Sequence, residues 1–208
     1  MSFADVKTIN NDDLKFSAPR STTGKRYIKA YYNKKILSIK LPKLKIPFDT
    51  QISQYNNQLE TNVSLGDNQE VINKLQELDD KMSTYAIENG WFNSDDFEYV
   101  PTLRKSRKGD YPPTFKIKIP KKDGEITTKF YDQEKKHIQI QSDEEVLALL
   151  KRGTFVISAL ECVSVWFIDN KFGLSWKAEQ MRVYPANNPE FVFDNVSDDS
   201  MSECLIYE

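Results

Sequence analysis

Two long runs of aromatic and β-branched residues, Phe155–Ile168 and residues 172–184, are separated only by Asp169-Asn170-Lys171. Such residues favour the pleated, half-buried surface of a sheet, and so short a polar link leaves room only for a tight turn. The fold must therefore be built around one long β-hairpin, and other segments must pair with its two edges. Residues 26–32 offer one such strand: period two places Ile28, Ala30 and Tyr32 on one face and Tyr27, Lys29 and Tyr31 on the other. Asn33-Lys34 reads as a hairpin turn into residues 35–41, with Leu37, Ile39 and Leu41 inward and Pro42 and Pro47 limiting further extension. Thr114–Ile119 sets Phe115, Ile117 and Ile119 against Lys116 and Lys118, and Asp123-Gly124 predicts a second hairpin returning through residues 126–131.

Helical periodicity appears twice. Val71, Leu75, Leu78, Met82 and Tyr85 recur at spacings of three or four, with Asp67 as the expected N-cap and Gly90 closing the helix. A single amphipathic helix between early and late strands suits the plug of a small barrel. Ser142-Asp143-Glu144-Glu145 is a capping-box pattern opening a short helix through Leu150, stopped by Gly153. The first 20 residues are polar and aperiodic and read as a loosely attached arm. Residues 91–108 read as an irregular, exposed loop. Beyond Pro185 the chain is polar and acidic, which predicts disorder. The expected organisation is an arm over residues 1–20, one domain over 21–185 and a tail over 186–208, since an apolar fraction of 39% supports one core.

No apolar run reaches the roughly 18 to 20 residues of a membrane span, and the start MSFADVKTINNDD lacks the order of a signal peptide, so an intracellular protein without membrane contact is expected. Cys162 and Cys204 lie far apart, and a disulfide between them is not expected. The net charge of −2 conceals an asymmetry: six acids and no base follow Val183, which leaves +4 (−2 plus 6) for residues 1–182. Residues 20–45 carry nine Lys or Arg and no acid, and residues 101–122 carry eight against one. Each stretch is a candidate contact for a polyanion, although lysines also blunt strand edges.

Enzyme chemistry finds no support in the sequence. The single histidine, His137, has no Cys or His at ligand spacing, and no phosphate-loop, dinucleotide or nucleophile-elbow motif is present. No catalytic residue, metal or cofactor is expected. Acidic pairs such as Asp79-Asp80 read as solvated charge. What remains is aromatic residues interleaved with cations, the pattern that single strands use: cations follow phosphates and rings stack on bases. Tyr27, Lys29 and Tyr31 form the clearest case. Lys35, Lys40, Lys116 and Lys118, the loop residues Arg104, Lys105 and Arg107, and Trp166 with Lys177 complete the candidate DNA-binding set. For Trp166, Phe167 and Trp176 a place in the core fits the pattern equally well.

The block from Leu149-Leu150-Lys151-Arg152-Gly153 through Trp166-Phe167 to Lys171-Phe172-Gly173-Leu174-Ser175-Trp176-Lys177 resembles the closing hairpin of the single-stranded-DNA-binding proteins of short-tailed phages and nucleocytoplasmic large DNA viruses. The detailed likeness covers about the last third of the chain. It implies a mainly β protein with two helices, an OB-fold or five-stranded Greek-key barrel with extra hairpin and loop elements. It also implies single-stranded DNA held in a basic groove, a role in viral DNA replication, recombination or repair at the replication site in the host cell, and an acidic tail that competes with DNA. The family tail docks replication proteins such as a polymerase or helicase-primase, here through Asp198, Asp199, Glu203 and Tyr207. The family tail often ends in an aromatic residue, whereas this one ends Tyr207-Glu208 with dispersed acids. A homodimer is compatible with this reading. The alternative is a non-catalytic interaction or virion scaffold module whose basic strands only protect sheet edges.

Overall fold

The closing hairpin is the spine of the molecule. In the computed structural model, which describes residues 3–22, 25–54, 56–91, 97–106 and 108–186, Phe155–Ile168 pairs antiparallel with Lys171–Tyr184, from Phe155 opposite Tyr184 to Ile168 opposite Lys171. The turn narrows to Asp169-Asn170, with Asp169 at φ +51°, a left-handed conformation that Asp tolerates better than most residues. Register shifts between Ala159 and Leu160 and between Cys162 and Ser164 bulge the ladder. Such bulges bend and twist a strand, which lets one long hairpin curl around a core.

Five strands close the curl. We label them β1 (Ser38–Lys40, continued by Leu44–Lys45), β2 (Leu59–Ser64), β3 (Thr114–Ile119), β4 (Phe155–Ile168) and β5 (Lys171–Tyr184). Both pieces of β1 run antiparallel to β4, and Lys45 also pairs with Ser64 of β2. The gap between the two pieces contains Pro42, which has no N–H to give a ladder. All of β2 pairs antiparallel with β3, and β3 meets β5 in parallel at Lys118 opposite Lys177. The ring therefore runs β1-β2-β3-β5-β4 and back to β1, the order of an OB-type barrel, as expected. Leu37, Ile39, Leu59, Val63, Phe115, Ile117 and Leu160 fill it, all fully buried.

The long helix α1 (Gln69–Glu88) joins β2 to β3, and its stripe of Val71, Leu75, Leu78 and Met82 enters the same core. Its N-cap is Asn68, not Asp67: the Asn68 side chain accepts from the Val71 N–H at 3.2 Å. Gly90 follows at φ +57°, the left-handed position that ends a helix. The short helix α2 (Asp143–Leu149) begins as expected at Ser142, which accepts from the Glu145 N–H.

Three further expectations are corrected. The first 20 residues are not a loose arm. Ala4–Asp5 runs parallel to β1, and Val6, Ile9, Leu14 and Phe16 are buried, with Phe16 packed on Tyr85 of α1. Four apolar residues scattered without a period are enough to dock a segment, although they leave no periodic signal. The second hairpin is smaller than expected, because Asp123-Gly124 closes only Lys121-Lys122 on Glu125-Ile126. Thr114–Ile119 pairs instead with β2, while Lys129–Tyr131 runs parallel to β5. Residues 97–106 are not an irregular loop but contribute two short strands, Glu98–Tyr99 and Leu103–Arg104.

Candidate nucleic-acid interface

The two short strands form a strap over the seam where β3 and β5 part. Glu98–Tyr99 runs parallel to β5 beside Lys171 and Phe172, and Val100 donates its N–H to the Phe172 carbonyl at 2.7 Å. The chain then crosses the seam, and Leu103–Arg104 pairs with Phe115 and Thr114 of β3. Under the strap lies a cavity of about 240 Å³. Glu60 of β2, Lys116 and Lys118 of β3, and Ser175 and Trp176 of β5 line it from the barrel. Trp166 and Ile168 of β4 line its far side, with Pro101, Thr102 and Arg104 of the strap opposite.

Trp166 is held in place from two directions. Its indole N–H donates to the Leu174 carbonyl at 3.3 Å. Beneath the ring lies Gly173, its partner across the hairpin: a Cβ there would stand 3.0 Å from Trp166 Cζ2 and 2.8 Å from the Val100 carbonyl oxygen. Only glycine lets the indole and the strap approach β5 this closely. Ile168, two residues on, is exposed at the turn, and Tyr27 is the neighbour of Trp166 across the other edge of β4.

The cations divide by occupancy. Lys116 is ion-paired with Glu60, a carboxylate only 5% exposed. Lys177 sits between Glu161 at 3.1 Å and Glu179 at 2.6 Å. Burial acts to lower its pKa, but the two carboxylates outweigh burial and hold it above the usual lysine value. Lys118, opposite Glu60 in the ladder, closes no ion pair among the described residues. Burial lowers its pKa, and the charge of Lys116 adds to the effect against the pull of Glu60. Arg104 is exposed and likewise makes no ion pair among the described residues. The cavity is therefore rimmed by two cations that close no ion pair among the described residues, beside a ring fixed in orientation.

The structure thus gathers Trp166, Arg104, Lys116 and Lys118 around one cavity, with Lys177 in register beside Lys118 and Tyr27 beside Trp166. It does not gather the rest of the expected set. The Tyr27, Lys29, Tyr31 run is split at Lys29, whose ammonium donates to the Val163 carbonyl at 2.7 Å. Tyr31 belongs to a separate three-stranded sheet with Lys15 and Ile36, and Lys35 lies on that sheet too. Lys40 faces Ala159 and Asp5 on β1, away from the cavity. Lys105 lines a second space of about 820 Å³ behind the strap, toward α1. Arg107 and the tail residues Asp198, Asp199, Glu203 and Tyr207 lie outside the described residues.

Sequence reasoning missed Glu60, the strap and Asp79. The alternation of Leu59, Thr61 and Val63 against Glu60, Asn62 and Ser64 is a signal that finds β2 and so Glu60. Asp79, read as solvated charge, is 5% exposed and accepts from the Tyr99 hydroxyl at 2.5 Å, the Thr102 hydroxyl at 2.7 Å and the Thr102 N–H at 2.8 Å. It ties the strap to α1. Its neighbour Asp80 is exposed, as expected. Among the described residues no group of three or more His, Cys, Asp or Glu is placed to hold a metal ion, and no helix is long and apolar enough to cross a membrane.

No protein-family model matches the chain, and no curated protein matches it. Solved structures do. Over 76% of this chain and 98% of the other, the fold is similar to that of gp2.5, a single-stranded DNA binding protein encoded by bacteriophage T7, with a TM-score of 0.52 at 11% identity. The single-stranded DNA-binding protein from bacteriophage Enc34 superposes more loosely, with a TM-score of 0.48 at 11% identity over 90% of this chain and 98% of that one. The same Enc34 protein in complex with single-stranded DNA gives 0.46 at 9% identity, over 82% and 96%. The likeness to gp2.5 agrees with the OB-type strand order and speaks for the fold alone.

Proposed function

We propose that this chain is a non-catalytic single-stranded-DNA-binding protein whose groove runs over the β2, β3 and β5 face beneath the strap. The observation that carries the reading is the meeting at one cavity of Lys118 and Arg104, which close no ion pair among the described residues, with the fixed ring of Trp166. That face of an OB barrel, with the turn between its last two strands, is where the fold offers room for an oligonucleotide. Cations without a protein partner take phosphates, and a half-buried ring beside them takes a base.

The test is a titration with oligo(dT) and with a duplex of equal length at several salt concentrations. Single strands bind more tightly, because stacked duplex bases offer no face to Trp166. Affinity falls with salt on a log–log slope of about −0.7 per phosphate neutralised. Trp166 and Trp176 both line the cavity, so quenching of tryptophan emission reports its occupancy. Equal affinity for both forms, or no binding at low salt, sinks the proposal.

The same reading gives the tail a task. Six acids without a base cannot build a core, but tethered beside a basic groove they act as an intramolecular phosphate mimic. Removing residues 197–208 deletes four acids (Asp198, Asp199, Glu203 and Glu208) and tightens single-stranded-DNA binding, most at low salt where the competing contact is least screened. A truncated protein that binds like the full chain at low salt makes the tail a solubilising end. The proposal extends to viral DNA replication, recombination or repair inside the host cell, with the tail docking a polymerase or helicase-primase. Loss of such a pull-down on truncation tests that part.

A further inference from the structure

We propose that the single-strand path continues past Trp166, across the edge of β4 and onto the hairpin of residues 20–28, where Tyr27 stacks a further base and Arg20 takes a phosphate. This second station rests on the single-strand reading above and lengthens the site at one end.

Register puts the groups on one face. Residues directly opposite each other in an antiparallel ladder point to the same side, and alternate residues of a strand share a face. On β5, Phe172, Leu174 and Trp176 enter the core, so Gly173, Ser175 and Lys177 face outward. Gly173 stands opposite Trp166, Trp166 opposite Tyr27, and Tyr27 opposite Arg20. At the other end Lys177 is in register with Lys118. The outer face therefore carries Lys118 on β3, Lys177 on β5, Trp166 on β4 and then Tyr27 and Arg20 on the hairpin. The inner face agrees. Ile28 and its partner Val165 are fully buried, and the Arg26 guanidinium lies over the Phe167 ring at 4.9 Å. With Arg26 and Ile28 turned inward, Tyr27 between them is turned outward.

The two inward residues also anchor the hairpin, so Tyr27 is held in place before any ligand arrives and loses little freedom on binding. Tyr27 is half-buried, and among the described residues it enters no ring contact and its hydroxyl no hydrogen bond. Its exposed part remains for a base. Arg20 is exposed and closes no ion pair among the described residues, and no acid occurs within residues 20–45 to compete for it. Lys177, by contrast, is spent on Glu161 and Glu179. Phosphate contacts thus fall at the two ends of the face, with Trp166 between them. Among the described residues Arg20–Thr22 pairs only with Lys25–Ile28 and so forms a sheet edge, where a cation also guards against edge-to-edge pairing. That role accounts for Arg20 but not for an outward ring in register with Trp166.

Spacing sets the length of the extension. Neighbouring strands lie about 4.8 Å apart, so Arg20, two strands beyond Trp166, stands about 10 Å from it across the sheet. At about 3.4 Å per stacked nucleotide this admits about three more nucleotides.

The experiment measures the affinity of the full chain, Tyr27→Ala, Tyr27→Phe and Arg20→Ala for oligo(dT) of about 4 to 16 nucleotides. On the shortest oligonucleotides that quench tryptophan emission, wild type and Tyr27→Ala bind alike. On longer ones the wild type gains affinity and Tyr27→Ala falls behind by at least about fivefold, the lower end of the loss for one stacking ring. Quenching at saturation persists in Tyr27→Ala because the cavity is still filled. Tyr27→Phe keeps the ring and the gain. Arg20→Ala flattens the salt slope on long oligonucleotides by about 0.7, the value of one phosphate on a single strand. Should Tyr27→Ala fail to fold, the slope of Arg20→Ala, a change at an exposed side chain, decides alone. Affinities of wild type and Tyr27→Ala that coincide at every length, or an unchanged slope in Arg20→Ala, overturn the second station while leaving single-strand binding intact. An equal loss at every length overturns it too, since Tyr27 would then act by holding Trp166. No binding of the wild type at any length overturns the functional reading instead.

Discussion

Replacing Trp166 with alanine weakens single-stranded-DNA binding by about 1–3 kcal/mol, a roughly 5- to 150-fold loss, the range for removing one stacking ring. The effect should fall near the upper end because the ring is already oriented. Its N–H is committed to the Leu174 carbonyl and the ring lies close against Gly173, so little rotamer freedom remains to be lost on binding. Trp166→Phe keeps a stacking face without the hydrogen bond and retains part of the affinity. Quenching by oligo(dT) falls in either variant, since Trp166 is the most exposed of the three tryptophans. Lys118→Ala gives a contrasting signature: all sequences weaken together, and the salt slope shrinks by about one phosphate. Unchanged affinity in Trp166→Ala would move the site off this face of the barrel.

The contrast between Trp166 and Tyr31 shows what a sequence can and cannot place. Period two correctly sorts Ile28 and Ala30 inward, and the aromatic density of Phe155–Ile168 correctly announces the long hairpin, because both signals are local. Which ring shares a groove with which lysine is a question of non-local register. Tyr27 and Tyr31 look equivalent along the chain, yet the strand breaks at Lys29 and sends one to β4 and the other to a separate sheet. Charge counting has the same limit. Residues 20–45 form a long basic stretch without an acid, but Lys29 is spent on a backbone carbonyl, and elsewhere Lys116 and Lys177 are spent on buried or half-buried acids. The cations left uncommitted at the cavity are Arg104 and Lys118, which only the ladders between β2, β3 and the strap bring together. Asp79 was illegible for another reason: an acid in a helical pattern usually faces water, and nothing nearby in sequence reveals that residues 99–102 return to cover it.

That buried acid carries the largest expected effect on stability. Asp79→Ala leaves the Tyr99 hydroxyl, the Thr102 hydroxyl and the Thr102 N–H without their acceptor. At about 1–3 kcal/mol for each buried donor left unsatisfied, the loss in unfolding free energy is about 3 kcal/mol or more. The loss is not confined to stability, because residues 100–104 form one wall of the groove and Asp79 fixes that wall to α1; single-strand affinity falls with it. The pH dependence has a definite sign. Burial raises the Asp79 pKa above its ordinary 3.8, against the lowering effect of the bonds from Thr102 and Tyr99. The folded chain therefore holds a proton at a pH where the unfolded chain has released it. The contribution of this group is complete below 3.8 and declines as pH rises through the folded pKa. The stability gap between wild type and Asp79→Ala should accordingly be widest at acid pH and narrow toward neutrality, as measured by denaturant unfolding of both proteins across that range. A gap that widens instead would mean that the bonds from Tyr99 and Thr102 outweigh burial and favour the carboxylate. A variant that unfolds and binds like the wild type would mean that the ladders to β3 and β5 hold the strap without help from α1.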